Sequence, residues 1–120
     1  MRLYAAVLLA TVVVPAPAIA SSASRRADGA QVFAVSGCMH CHSIGDVGGH
    51  RGPDLSDVGR RKSKTQMRRQ IVNGSRIMPA FGDVLGSSEI RDLIDYLRSC
   101  RGNAKGAHAD TDQLRAGFTH

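Results

Sequence analysis

The sequence predicts a small all-α domain whose core is completed by something other than its own side chains. Three stretches carry apolar residues at helical spacing, and no stretch of any length has the alternation typical of a strand. Hydrophobic residues make up 42% of the 120 residues, but aromatic residues make up only 4% and Trp is absent. The length allows one domain. The composition is unlike that of a disordered chain, a collagen-like repeat or a multi-span membrane protein.

Residues 1–20 are predicted to be a secretory signal peptide rather than part of the fold. Arg2 precedes an apolar run from Leu3 to Val14, and Ala18-Ile19-Ala20 offers the small residues that a signal peptidase accepts. The run is shorter than the roughly 20 apolar residues of a membrane span. We therefore expect cleavage after Ala20 and a periplasmic location, with an uncleaved membrane anchor as the alternative.

Residues 21–26 are expected to be a polar leader before the first helix. That helix is predicted from Ala27 to Ser36, because Ala30 and Phe33 begin an apolar face at helical spacing. Residues 43–59 are rich in Gly and Asp and lack a period, so they predict a long loop. Loops of this length in compact domains commonly wrap a ligand.

Two further helices are predicted downstream. The first covers about residues 64–72, and Gly74 supplies a stop signal after it. The second begins near Ser87 and carries one apolar stripe, formed by Ile90, Leu93, Ile94 and Leu97. Residues 100–120 show no period, so we expect a flexible tail after a folded domain that covers residues 27–99.

The strongest chemical signal is the motif Cys38-Met39-His40-Cys41-His42, which is typical of covalent haem attachment. Two thiols three residues apart share one face of a helical turn, so each can add to one vinyl group of a haem. His42 lies four residues after Cys38 and can reach the iron. The alternatives are a dithiol redox centre, half of a zinc site and a simple disulfide, although the sequence lacks the βαβ context of the first and the second ligand pair of the zinc site.

An iron bound by His42 needs a second axial ligand unless that position stays open. Met78 is favoured, because it lies in a predicted loop and the following Pro79 biases it toward an extended backbone. Met67 is expected to pack in the core, and His40 is poorly placed inside the attachment motif. The full set of candidates is Met39, Met67, Met78, His40, His50, His108 and His120.

Six segments carry a resemblance that extends over residues 27–98. They are, in order, Gly29 with Val32-Phe33, Cys38-Met39-His40-Cys41-His42, Arg51-Gly52-Pro53-Asp54-Leu55, Ile71-Val72-Asn73-Gly74, Met78-Pro79-Ala80-Phe81 and Leu93-Ile94-Asp95-Tyr96-Leu97. In these segments the chain resembles the class I, mitochondrial-type, bacterial monohaem c-type cytochromes. Many c-type families share the attachment motif, whereas the Met-Pro-x-Phe segment and the last helix with its Tyr make the likeness specific.

The resemblance implies a small cytochrome c fold of three to four helices wrapped around one covalently attached haem c. It implies that Cys38 and Cys41 form the thioether bonds, that His42 is the proximal iron ligand and that Met78 is the distal one. The carbonyl of Pro53 would accept a hydrogen bond from the proximal imidazole and fix its orientation.

The resemblance also implies a contact between the first and last helices. Gly29 would let the first helix approach the ring of Tyr96 closely. However, Gly29 lies one residue farther from Cys38 than is usual in the family, and Gly37 is the extra residue. The spacing therefore departs from the family pattern close to the contact that it must allow.

Together these features predict a soluble periplasmic electron-transfer protein of a respiratory chain, with no substrate turnover of its own. Ligation by a His and a Met favours ferrous iron and fills both axial positions. The alternative is a haem-based enzyme or gas sensor whose sixth coordination position is open or labile. No distal His or Arg is obviously placed for that chemistry.

The charge pattern indicates partner proteins. Positive charges outnumber negative ones by 16 to 10, and a basic patch within ten positions contains Arg60, Arg61, Lys62, Lys64, Arg68 and Arg69. We expect this patch to dock a redox partner, either a dehydrogenase or reductase that donates electrons or an oxidase that accepts them. A solvated helix face and attraction to anionic lipid headgroups are the alternatives, and no nucleic-acid motif is present. Cys100 is expected to be an inert thiol or to form a disulfide between two copies.

Overall fold

The structure, a computed structural model, describes residues 21–102. Its elements, in chain order, are α1 (Ser22–Val35), a 3₁₀ turn (Cys38–His40), β1 (Ser43–Ile44), β2 (Val47–Gly48), α2 (Val58–Arg61), α3 (Lys64–Asn73) and α4 (Ser87–Ser99). The predicted all-α class is confirmed. None of the helices in the described part is long and apolar enough to cross a membrane. The predicted signal peptide and all but the first three residues of the predicted tail lie outside the described residues.

Two very short strands lie within the loop predicted over residues 43–59. β1 and β2 pair antiparallel, with Ser43 opposite Gly48 and Ile44 opposite Val47. Strands of two residues are too short to show an alternating pattern, so the sequence does not reveal them. They fold the loop back toward the attachment motif that precedes it.

α1 begins earlier than predicted, at Ser22 rather than Ala27. The expected polar leader over residues 21–26 is therefore wrong, because these residues form the cap and the first turns of α1. The side-chain oxygen of Ser21 accepts a hydrogen bond from the backbone N–H of Ser24 at 3.2 Å, as is typical of an N-cap. The buried residues of α1 start at Gly29, so the first turns carry no apolar spacing that marks them as helical.

α1 and α4 cross where α1 has a glycine. A Cβ at Gly29 would overlap the carbonyl of Asp92 and would lie 2.7 Å from the Cβ of Tyr96, so a larger residue would push the helices apart. Beside the crossing, the rings of Phe33 and Tyr96 pack with their centroids 5.9 Å apart. Gly37 adopts a left-handed backbone with φ +84°, so the extra residue is accommodated after α1. The contact between Gly29 and Tyr96 therefore forms despite the altered spacing.

The buried hydrophobic side chains form a cluster between the helices, and only two of them are aromatic. Its members are Ala30, Val32, Phe33, Met39, Ile44, Val58, Met67, Ile71, Leu85, Ile90, Leu93, Ile94, Tyr96 and Leu97. The apolar stripe predicted on the last helix lies entirely within this cluster. Such a small set of side chains fits a domain that needs an additional staple for stability.

One carboxylate joins three helices on the surface. Asp95 of α4 accepts hydrogen bonds from Lys64 of α3 at 2.6 Å and from Arg25 of α1 at 3.1 Å. The side chain of Asp95 is only 17% exposed. The hydrogen bond from Lys64, followed by that from Arg25, holds the pKa of Asp95 below its ordinary value of 3.8, against the opposing effect of burial.

Residues at the end of α4 form hydrogen bonds with backbone groups in and just after α2. The N–H of Gly59 donates to the carbonyl of Cys100 at 2.8 Å. The guanidinium of Arg98 donates to the carbonyls of Gly59 and Lys62 at 2.8 and 2.9 Å. These bonds attach α2 to the helical frame and so give the preceding loop a fixed anchor.

Replacing Gly29 by Ala is expected to destabilise the protein by about 3 kcal/mol through overpacking at the crossing. This exceeds the roughly 1 kcal/mol that Ala gains over Gly inside a helix. Urea denaturation of the holo-protein measures the change. Gln31→Ala, at an exposed position of the same helix, serves as the control and should change the free energy of unfolding by less than about 0.5 kcal/mol. Equal stability of Gly29→Ala and the parent protein would contradict the close approach.

Replacing Asp95 by Asn is expected to remove stability in a pH-dependent way. Because the folded-state pKa of Asp95 is lowered, its contribution is fully present above the unfolded value of about 3.9 and is lost as the pH falls through the folded value. The difference in unfolding free energy between the parent and Asp95→Asn should thus be constant from about pH 5 to 7 and shrink below about pH 4. Urea denaturation at a series of pH values measures it, and Lys64→Met should reduce the difference. A difference that does not vary with pH would refute this role.

Candidate haem-binding site

The attachment motif forms a single tight turn. The N–H groups of Cys41 and His42 both donate to the carbonyl of Cys38, at 3.2 and 2.9 Å, so the two thiols and the imidazole are brought together within one turn. Cys38 and Cys41 are half-buried. Between them, Met39 points into the hydrophobic core and His40 is exposed. Neither intervening residue is therefore placed as an axial ligand.

The Cys38 thiol has the wrong electrostatics for a dithiol redox centre. Burial raises its pKa to about 11, and the neighbouring Cys41 adds a smaller increase. Redox-active Cys-x-x-Cys pairs instead lower the pKa of the attacking thiol. Within residues 21–102 there is also no cluster of three or more His, Cys, Asp or Glu side chains that would hold a metal ion in the manner of zinc. These observations disfavour the dithiol redox centre and the zinc site, two of the three alternatives to covalent attachment.

His42 is oriented by the loop that follows the short strands. Its Nδ1 lies 2.7 Å from the carbonyl oxygen of Pro53. Since a carbonyl only accepts, Nδ1 carries the proton and Nε2 is left available to a metal. We call residues 52–55 the proximal loop. It is pinned at both ends, because the N–H of Gly52 donates to the carbonyl of Cys41 at 2.6 Å and that of Leu55 to Ser43 at 2.9 Å.

Gly52 contributes to the site in a way that the sequence reasoning missed. A Cβ at this position would lie 2.7 Å from Cε1 and 2.9 Å from Nδ1 of the His42 imidazole. The absence of a side chain therefore lets the proximal loop lie directly against the ring. The only available signal is the position of Gly52 immediately before Pro53 in the quoted Arg-Gly-Pro-Asp-Leu segment.

Met78 lies in a turn that begins at the end of α3. The N–H of Ser75 donates to the carbonyl of Met78 at 2.9 Å, and the N–H of Met78 approaches the hydroxyl of Ser75 at 3.4 Å. Met78 is half-buried against the core. The side-chain amide of Gln70, in α3, donates to the Met78 sulfur at 3.5 Å. Sequence reasoning missed Gln70, because no local pattern connects a helix residue to a sulfur eight positions later.

The other candidate ligands are less suitable or lie outside the described residues. Met67 is buried in the core as expected, at 4% exposure. His50 is exposed on the loop before Pro53. His108 and His120 lie outside the described residues. Cys100 is half-buried and directs its sulfur at the carbonyl of Tyr96, 3.6 Å away. Its predicted disulfide between two copies stays a prediction.

The residues around the motif fit a large apolar macrocycle. Half-buried hydrophobic side chains that pack against the core include Cys38, Leu55, Met78 and Phe81. Large hydrophobic side chains are also exposed close in sequence to the motif and to Met78, namely Val35 at 66%, Ile77 at 79% and Val84 at 71%. Apolar side chains at such exposure are suited to cover, and be covered by, an apolar group.

The helical frame, the Cys-x-x-Cys-His turn and the methionine turn together define a c-type cytochrome of the class I monohaem kind. The chain belongs to the family described as "Cytochrome C oxidase, cbb3-type, subunit III", whose model matches residues 24–97. The resemblance stated from the sequence is thereby confirmed. Members of the cytochrome c family bind covalently attached haem c with iron, so the predicted cofactor is also confirmed, and the protein is a haem c electron-transfer protein.

Curated relatives include both a larger protein and small cytochromes. "Cbb3-type cytochrome c oxidase subunit FixP" of Azorhizobium caulinodans is 33% identical over 77% of this chain, which spans only 34% of FixP. "Cytochrome c6" of Diacronema lutheri is 32% identical over 63% of this chain and 96% of the relative. "Cytochrome c-553-like" of a Synechocystis strain is 32% identical over 61% of this chain and 68% of the relative.

A solved structure supports the fold. The c-type cytochrome SorU from Sinorhizobium meliloti aligns with a TM-score of 0.58 over 68% of this chain and 95% of SorU. The sequence identity is 24%, so this likeness concerns the fold alone. The identities of the iron ligands, the location in the cell and the partners stay predictions.

Proposed function

We propose that the protein is a periplasmic one-electron carrier in which Cys38 and Cys41 hold the haem and His42 and Met78 bind the iron. The observation that carries this proposal is the 2.7 Å contact between Nδ1 of His42 and the Pro53 carbonyl. It orients the imidazole on the same turn as the two thiols. A histidine with its Nδ1 committed in this way is prepared to bind a metal through Nε2.

The proximal residues tune the strength of the histidine ligand. A hydrogen bond from Nδ1 to a carbonyl raises the basicity of the imidazole, and fixes the plane of its ring. Gly52 packs against that ring without a side chain, so the loop and the imidazole hold one another in place. This rigidity suits electron transfer, since little of the site has to rearrange when the charge of the iron changes.

The distal residues set the preference for the reduced state. The soft thioether of Met78 favours ferrous iron over ferric and raises the reduction potential. Ser75 and Gln70 restrain the Met78 turn and its sulfur. With both axial positions filled, no position is open for peroxide or a diatomic gas. The bound haem supplies a reversible one-electron couple, and no side chain is required to make or break substrate bonds.

The periplasm and a respiratory chain are the proposed setting. The predicted signal peptide over residues 1–20 supports export. One relative is named as an oxidase subunit, which supports an oxidase as electron acceptor and a dehydrogenase or reductase as donor. The match to cytochrome c6 covers 96% of that small protein, which supports a carrier that moves between two such partners.

The predicted basic patch divides into two groups. Arg61 pairs with Asp57 at 2.7 Å, and Lys64 pairs with Asp95 at 2.6 Å. Each of these two positive charges is therefore partly neutralised by an aspartate of the same chain. The other exposed members include Lys62, Arg68 and Arg69, which have no ion-pair partner among residues 21–102. We propose that these three residues carry most of the electrostatic attraction to an acidic redox partner.

Replacing Met78 by Ala is expected to change the sixth ligand. The ferric parent protein should show the weak long-wavelength charge-transfer band that a sulfur ligand gives, and the ferrous parent should not bind carbon monoxide. Met78→Ala should lose the band and bind carbon monoxide, because the position is opened. Absorption spectra of both oxidation states measure this, and Met67→Leu, at a buried methionine of the core, should behave like the parent. A parent protein that lacks the band and binds carbon monoxide would instead support the enzyme or sensor alternative.

Neutralising Arg68 and Arg69 together as Gln is expected to slow oxidation by ferricyanide, an anionic probe, by at least about threefold at low salt. The effect should fade at about 0.15 M salt, where exposed charges farther apart than about 8 Å are screened. Stopped-flow absorbance measures the rate. Arg26→Gln removes one positive charge from α1 and controls for the change in net charge. Its effect on the rate is doubled for the comparison, because the other variant loses two charges. An equal slowing per charge in both proteins would exclude a localised patch.

A further inference from the structure

Arg61 is the last residue of α2, and its guanidinium binds two oxygens at once. Its Nε donates to Oδ1 of Asp57 and its Nη2 donates to the backbone carbonyl of Asp54, each at 2.7 Å. The rigid fork of a guanidinium suits such a pair of acceptors. Arg61 thus connects α2 to the Asp54–Leu55 peptide unit, one unit beyond the Pro53 carbonyl that accepts from His42.

Backbone bonds hold both ends of the proximal loop, and the Arg61 side chain adds a further bond at its second end. The N–H groups of Gly52 and Leu55 are bonded to the segment around the attachment motif. Pro53 has no N–H. After Pro53, the Asp54–Leu55 peptide unit is held on both of its polar groups: its N–H donates to Ser43 and its carbonyl accepts from Arg61.

The Asp54 side chain closes its own turn instead of binding Arg61. Its Oδ1 accepts from the N–H of Ser56 at 2.7 Å and from the Ser56 hydroxyl at 2.5 Å. The same hydroxyl accepts from the N–H of Gly45 at 2.8 Å, which links the turn to the β1–β2 hairpin. The loop is therefore restrained both by the guanidinium of Arg61 and by the turn that the Asp54 side chain closes.

We propose that Arg61 is a positioning residue for the proximal ligand, not a docking residue. Its guanidinium holds the Asp54–Leu55 peptide unit, which adjoins the Pro53–Asp54 unit, and thereby helps to keep the Pro53 carbonyl at hydrogen-bond distance from Nδ1 of His42. α2 is itself attached to α4 by the bonds from Gly59 and Arg98, so the brace ends on the helical frame. The inference rests on the proposed ligation by His42. It assigns a role in orienting that ligand to Arg61, which the sequence analysis had placed in the basic patch.

Loss of the brace has a predictable effect on the reduction potential. A weaker hydrogen bond from Nδ1 makes the imidazole a weaker donor, which destabilises ferric iron more than ferrous and raises the potential. Loss of a positive charge near the haem acts in the opposite direction, because it favours the ferric state. A higher reduction potential in a variant at Arg61 therefore indicates the loss of positioning, whereas a lower one indicates only the loss of a positive charge.

The test compares Arg61→Met with Arg91→Met in the full-length holo-protein. Arg91 lies on α4 and also pairs with an aspartate, so both variants lose one exposed, ion-paired guanidinium. In the ferrous protein, proton NMR follows the exchange of the His42 Nδ1 proton with deuterium oxide. We expect exchange about tenfold faster in Arg61→Met, as the loss of one charge-assisted hydrogen bond implies, and a higher potential. Arg91→Met should neither speed the exchange of this proton nor raise the reduction potential.

Equal exchange rates in the two variants, or a potential that falls in Arg61→Met, would overturn the proposal. Arg61→Lys keeps the charge but lacks the fork, and should still exchange several-fold faster than the parent. It carries the same comparison if Arg61→Met fails to incorporate haem. Failure of the proposed function has a different signature: the parent protein itself would show no resonance of a haem-bound His42.

Discussion

The hydrogen bond from His42 Nδ1 to the Pro53 carbonyl, 2.7 Å long, is the contact on which the rest of the site depends. For this bond to form, the chain must return to the attachment motif within eleven residues. The β1–β2 hairpin provides that return, and Gly52 allows the loop to lie flat against the imidazole. The bond also selects Nε2 as the metal-binding nitrogen. A side chain at position 52 or a shift of the loop would disturb all of these at once.

The helical frame carries both the attachment turn, which follows α1, and the methionine turn, which follows α3. Its stability comes from a close crossing at Gly29, from one tilted aromatic pair and from an aspartate that joins three helices. Among residues 21–102, the buried core has two aromatic rings. We therefore expect a covalently attached macrocycle, by adding apolar mass, to stabilise this chain as well as to serve as its redox centre.

Features encoded by local sequence could be predicted, and features that depend on distant partners could not. The stripe on α4 and the attachment motif are readable, because helical spacing and thiol spacing are local. The start of α1 at Ser22 was missed, since its first turns face solvent. The ion pair of Lys64 could not be predicted, because its partner Asp95 lies 31 residues away on another helix. The contact from Gln70 to Met78 likewise follows only from the three-dimensional fold.

The most direct measurement of the central claim is mass spectrometry of the tryptic peptides of the holo-protein. Trypsin cleaves after Arg26 and Arg51, so Cys38 and Cys41 fall together in the peptide over residues 27–51. Cys100 falls in the separate peptide over residues 99–101. We predict that the first peptide carries the mass of one haem and that the second carries none. A haem-free peptide over residues 27–51 from protein with a haem spectrum would contradict attachment at Cys38 and Cys41.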